Sequence, residues 1–289
     1  MPLSASAKFT LNTALPEGTQ GHRHIELVVD RSGSMKSFGE SIASTINEFI
    51  SSQRQQEQEE INNLKDLIET LPEGSEKKTK IKELEKLEHY TVSTINLITF
   101  DNKVEQPWCK TDKTILPRIA EAEVTPAEVK PRGMTALFDA MYKACENISE
   151  MEENKTCDFK GIVVTMTDGQ ENKSEVSHDT ITKKIKKLTD KNVTFMFLAA
   201  NQDAIAEAAK MGISRNNALN VGTTQENYGN AMKAVSGNIG RTRTGDNAGF
   251  SGLERATSST LRSIERSQTE PNKGHLLKRA PPAGLLRRQ

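Results

Sequence analysis

The sequence predicts an α/β domain built on a doubly wound, mainly parallel sheet, with a helical hairpin inserted near its start and a flexible, basic C-terminal tail. Two observations carry this expectation: short apolar runs recur along the chain, and stretches of helical periodicity alternate with them. Strands covered on both faces read as continuous apolar runs. Their alternation with helices implies parallel strands joined by right-handed crossovers.

Residues 24–29 (HIELVV) form the first such run, ending at Asp30, and the polar turn RSGS then leads into helix-permissive sequence from about Ser37. The theme repeats at residues 93–100 (STINLITF), 161–166 (GIVVTM) and 193–199 (VTFMFLA), with helical periodicity at 137–148, 181–188 and 204–211. A weaker strand at 218–221 and a closing helix near 225–236 complete the pattern.

Residues 51–90 interrupt it. Ile61, Leu64, Ile68 and Leu71 fall at 3-4-3 spacing, Pro72-Glu73-Gly74 makes a turn, and Ile81, Leu84 and Leu87 follow. This spacing predicts an antiparallel, coiled-coil-like hairpin. Its arms, otherwise Glu, Lys and Gln, would project roughly 20 Å at about 1.5 Å per residue. Such a hairpin either zips only to itself or serves as a docking or dimerising arm.

The expected organisation is therefore an N-terminal extension (1–21), a domain over 22–240 interrupted by the 51–90 hairpin, and a tail over 241–289. The tail holds ten Lys and Arg against four acids, a net charge of +6. Gly, Ser, Thr and Pro dominate it and Phe250 is its one aromatic residue, so it has too little apolar surface to offset ordering entropy. Leu253, Leu261 and Ile264 are spaced for a short helix. Nucleic-acid contact is the lesser reading of its charge, because no stacking aromatics interleave with the arginines.

The whole chain of 289 residues is neutral, with 39 basic and 39 acidic side chains, which gives no general attraction to nucleic acid or acidic membrane. No run of 18 apolar residues occurs, and the first residues lack a basic segment followed by an apolar one. The three cysteines (Cys109, Cys145, Cys157) show no CxxC spacing, which argues against a disulfide framework or zinc site. The expected location is a reducing cytoplasm.

Candidate chemistry gathers at three loops. Asp30-Arg31-Ser32-Gly33-Ser34 lies where the first strand gives way to its helix, at the carboxyl edge where ligands of open α/β sheets collect. Its alternate positions carry a carboxylate and two hydroxyls, an oxygen set suited to a hard cation such as Mg²⁺. Alone, the same spacing is met by helix-capping residues. Gly133-Met134-Thr135 opens the helix of Leu137 and Met141, and Thr167-Asp168-Gly169 directly follows the strand ending at Met166.

Together and in this order, the three segments resemble the von Willebrand factor A (vWA) family and its metal-ion-dependent adhesion site (MIDAS), over about residues 24–236 apart from the inserted hairpin. The resemblance implies a Rossmann-like vWA fold and a divalent metal, Mg²⁺ before Mn²⁺ or Ca²⁺. In that family the D-x-S-x-S serines and the separate threonine give hydroxyls to the ion, while the aspartates often act through water. Carried over, these are Ser32, Ser34, Thr135, Asp30 and Asp168, and every position is filled. Thr99-Phe100-Asp101 and the stretch from Leu198 to Asp203 also resemble strand ends of intracellular bacterial and phage members. Asp101 and Asp203 are themselves expected to be turn or cap residues.

The implied function is a metal-dependent protein-binding module or assembly adaptor, in which the ion holds a Glu or Asp of a partner protein. The alternative is the metal-site subunit of a AAA+ or chelatase-like ATPase complex. An enzyme is not expected: no GxxxxGK[ST], strand-linked GxGxxG, HExxH or GxSxG is present. The five histidines are scattered, and each is expected at the surface, with His22 and His24 flanking the first strand.

Overall fold

The computed structural model describes residues 15–38, 41–109, 116–200, 203–243, 245–246 and 248–259. Strands β1 (Gly21–Asp30), β2 (Thr91–Phe100), β3 (Val104–Glu105), β4 (Asp158–Thr167), β5 (Thr194–Ala200) and β6 (Ala218–Val221) form one sheet in the order β3-β2-β1-β4-β5-β6. All pairings are parallel except that of the short edge strand β3 with β2. The helices are α1 (Ser41–Thr70), α2 (Ser75–His89), α3 (Leu137–Glu153), α4 (His178–Thr189), α5 (Ala204–Lys210), α6 (Gln225–Arg243) and α7 (Gly252–Ser258).

Strand side chains alternate between faces, and the core divides accordingly. Leu27, Val29, Leu97 and Val164 meet Ile42, Ile46 and Phe49 of α1 and Met232, Val235 and Ile239 of α6. Val28, Ile98, Val163 and Phe197 meet Leu137, Met141 and Ile148 of α3 and Ile181 and Ile185 of α4. Each such side chain contributes about 1.5–3 kcal/mol when removed from water. This is the doubly wound, mainly parallel sheet that the apolar runs predict.

The hairpin is not a separate unit. Its first arm is the outer part of α1, one continuous helix whose inner turns bury Ile42, Ile46, Phe49 and Ile50 in the domain core. Its base is clamped to the sheet: Arg23 of β1 forms a bidentate pair with Glu60 at 2.7 and 2.8 Å, and Thr91 Oγ1 donates to Lys86 O at 3.0 Å. Lys65 and Glu88 bridge the two arms at 2.7 Å. Leu67 and Ile81 stay 43% and 46% exposed.

Two further departures have physical causes. The closing helix runs past residue 240 to Arg243, and α7 packs on α6 and β6, so the ordered domain extends beyond the boundary set at 241. A capping box at Ser251 and Glu254 starts α7, and the Arg241–Glu254 pair at 2.9 Å anchors it. The part of the expected 241–289 tail from residue 260 onward, with Leu261 and Ile264, lies outside the described residues. His22 and His24, expected at the surface, are 4% and 1% exposed. β1 starts earlier than its apolar run, and its alternation turns His22, His24 and Glu26 to one face. There Thr94 Oγ1 lies 2.7 Å from a ring nitrogen of each histidine.

Candidate metal centre

β1 and β4 are neighbours in register, Val29 facing Met166, so they end side by side. The connection after β1 leads to α1 in one helical layer, and that after β4 leads to α4 in the other. A crevice opens where adjacent strands send their connections to opposite faces, and Asp30 and Asp168 stand at its floor.

All five predicted residues meet there. Asp30 is buried; its Oδ1 accepts from the Ser32 backbone N–H at 2.6 Å and its Oδ2 from Thr167 Oγ1 at 2.6 Å. Ser32 Oγ and Ser34 Oγ are 3.0 Å apart, and Ser34 Oγ donates to Asp168 Oδ1 at 2.6 Å. Thr135 comes from the second loop: a Cβ at Gly169 would stand 3.1 Å from its Oγ1 and 3.8 Å from Ser34 Oγ. Glycine at 169 therefore keeps the space between the two hydroxyls clear. Ser34 is exposed while Ser32, Thr135 and Asp168 are buried, so the cluster opens to solvent on one side.

The first two loops are laced together by backbone. Gly33 N–H donates to Gly133 O at 3.1 Å, and Arg132 N–H donates to Arg31 O at 2.6 Å. Asp101, at the end of β2, joins them from below. Its Oδ2 accepts from Arg31 Nε at 3.0 Å and Arg132 Nε at 2.7 Å, and its Oδ1 from Lys103 N–H at 3.0 Å. Arg31 Nη2 also lies 2.8 Å from Glu105 Oε2. Burial alone would raise the Asp101 carboxyl, but the Arg132 hydrogen bond, the Lys103 N–H and both guanidinium charges hold it below the usual range. Asp101 is thus a turn residue, as expected, and also an ionic tie whose partners no local pattern announces. Asp203 caps α5, accepting from Ile205 and Ala206 N–H at 3.1 Å each. Thr167 was missed because a strand-end threonine carries no distinctive signal.

The electrostatics favour a cation. Burial pushes Asp30 up from 3.8 to about 6, against the hydrogen bonds from Thr167 and Ser32, and the nearby Asp168 pushes the same way. Burial likewise raises Asp168. Two desolvated carboxylates facing one cluster of hydroxyls are costly as anions, and a divalent ion among them offsets that cost. No group of three or more His, Cys, Asp or Glu forms among the described residues. The oxygens gathered here are hydroxyls and two carboxylates, a set that would suit a hard divalent cation.

Fold and site together define an α/β domain with a cluster of hydroxyls and two buried carboxylates at the switch point of its sheet. The chain belongs to the von Willebrand factor type A domain family, which it matches over residues 24–237. Among curated proteins none matches it. Similar solved structures include proximal thread matrix protein 1 from the mussel byssus with a zinc-occupied MIDAS motif, at 17% identity and a TM-score of 0.45, covering 76% of this chain and 48% of that one. The von Willebrand factor type A protein from Catenulispora acidiphila has 13% identity and a TM-score of 0.39, covering 76% of this chain and 43% of that one. The SpRpn10 VWA domain has 10% identity and a TM-score of 0.40, covering 70% of this chain and 88% of that one. This chain therefore spans less than half the length of the mussel and Catenulispora proteins.

Proposed function

We propose that the protein is a metal-dependent protein-binding module or assembly adaptor, in which a divalent cation held by Asp30, Ser32, Ser34, Thr135 and Asp168 grips a Glu or Asp of a partner protein. The observation that carries this reading is the convergence of Ser32, Ser34 and Asp168 within 2.6–3.0 Å hydrogen-bonding steps, open to solvent at Ser34. The zinc-occupied MIDAS motif of the mussel protein supports a divalent ion in such a site, and the oxygen donors favour Mg²⁺ or Mn²⁺.

When bound, the ion supplies a positive centre that a partner's carboxylate can enter. The chain's own residues prepare it. Neutral hydroxyls from Ser32, Ser34 and Thr135 leave that charge largely uncancelled, and Asp30, held by Ser32 N–H and Thr167 Oγ1, fixes the loop from beneath. The role proposed is binding rather than bond cleavage, since the buried imidazoles His22 and His24 stand at the opposite end of β1 from Asp30. Cytoplasmic operation is part of the proposal, supported by three free cysteines. No described helix is long and apolar enough to cross a membrane.

The test is capture of partners from native lysate in Mg²⁺ and in EDTA, beside a Ser32→Ala/Ser34→Ala variant. Partners lost in both EDTA and the variant are expected. Partners that survive both treatments would refute a metal-borne interface.

A further inference from the structure

We infer that Asn172 is a positioning residue for Thr135, and that the loop following Asp168 sets the metal affinity of the centre by holding the start of α3. The inference rests on the cation-site reading above and deepens it.

α3 begins at Leu137, two residues after Thr135, and the first N–H groups of any helix lack intrahelical acceptors. Its N-cap is Ala136, whose side chain has no acceptor. The need is met from a distant segment. Glu171 Oε2 accepts from Phe138 N–H at 2.9 Å and Ser174 Oγ from Asp139 N–H at 3.0 Å, while Asn172 Oδ1 accepts from Thr135 N–H, just before the N-cap, at 3.0 Å. Asn172 N–H returns a bond to Thr135 O at 3.1 Å, and Asp139 Oδ1 accepts from Glu175 N–H at 3.0 Å and Val176 N–H at 2.8 Å. Glu171 also holds its own loop closed, accepting from Lys173 N–H at 2.7 Å and Ser174 N–H at 2.6 Å.

Asn172 therefore brackets Thr135 from both sides, one bond to its N–H and one from its own N–H to the Thr135 carbonyl. The same loop, four residues earlier, supplies Asp168 to Ser34. Two site residues that arrive on different loops, Thr135 and Asp168, are thereby fastened to one another, and glycine at 169 leaves the space beside the Thr135 hydroxyl clear. Groups that orient metal ligands without touching the ion typically alter affinity by roughly 10–100-fold. Asn172 is exposed and makes its side-chain bond to a backbone N–H of the site itself, so its loss acts on ligand placement more than on the core.

The experiment is calorimetric titration of Mn²⁺ into the full chain, paired with thermal unfolding in EDTA, for the parent, Asn172→Ala, Asn172→Asp, Ser174→Ala and Ser34→Ala. Asn172→Ala should weaken Mn²⁺ binding roughly 10-fold or more while moving the EDTA melting temperature by no more than about 2–4 °C. Asn172→Asp, which keeps the acceptor, should restore binding. Ser174→Ala, one turn further from Thr135, should bind as the parent does. Binding by Asn172→Ala equal to the parent's, or equal weakening by Ser174→Ala, overturns the inference while Ser34→Ala still shows the site to be real. A parent that does not bind Mn²⁺, or a Ser34→Ala variant that binds unchanged, overturns the cation-site reading and the inference with it.

Discussion

Ser34 Oγ donates to Asp168 Oδ1 at 2.6 Å across 134 positions of sequence. The contact exists because β1 and β4 pair in parallel and end together, so a loop after each strand reaches the same point. A centre built this way depends on the sheet, and its buried carboxylates make it a local cost to stability when no cation is present.

That cost is measurable at Asp30. Its carboxyl, raised by burial to about 6, is ionised at pH 7 against its environment. Asp30→Asn should leave stability in EDTA unchanged or raise it by up to about 2 kcal/mol, while abolishing Mn²⁺ binding. Urea midpoints and a titration check both; a loss above about 1 kcal/mol would show that the anion is structurally required.

The same shift sets a pH dependence. Between 3.8 and about 6 the native Asp30 holds a proton that the unfolded chain releases, so its contribution to stability is present at low pH and is lost as pH rises through about 6. Metal affinity should move the opposite way, rising with pH to about 6 and then levelling, because the cation competes with that proton. Mn²⁺ titrations across pH 4.5–7.5, bracketing the shift by roughly 1.5 units, test this; a flat profile contradicts it.

His22 gives an opposing slope. Burial, with a smaller contribution from His24, lowers it from 6.5 to about 3. A depressed histidine stabilises fully above its unfolded value, and that stability is lost as pH falls from 6.5 toward 3, by about 1.4 kcal/mol per pH unit. His22→Asn should flatten the acid limb of a urea-midpoint profile taken in EDTA; an unchanged limb would place the sensitivity elsewhere.

Asp101 is the tie between the loops. Asp101→Asn removes the charge that both Arg31 and Arg132 share, leaving the buried Arg31 with Glu105 as its remaining carboxylate. Breaking such a buried pair should cost about 3–5 kcal/mol, whereas Arg132→Ala, at an exposed side chain, should cost far less. Equal effects in a denaturation series would mean that the Arg31 pair is not the dominant one.

Much of this protein could be read from residue order alone. Apolar runs and helical periodicity determined the doubly wound parallel sheet, because a strand covered on both faces must be apolar throughout. The three loops bearing Asp30, Ser32, Ser34, Thr135 and Asp168 were legible because each directly follows a strand or opens a helix. What the tertiary structure alone decided lies in contacts between distant segments. Asp101 gathers two arginines, Glu171 and Ser174 cap a helix that begins 35 or so positions earlier while Asn172 holds Thr135 just before it, and His22 and His24 are buried beside Thr94. The outer part of α1 belongs to the domain helix because its inner turns are in the core. Local pattern reports which face of an element is apolar; it does not report which polar groups a fold brings within hydrogen-bonding distance, since that depends on register and packing between strands and loops far apart in the chain.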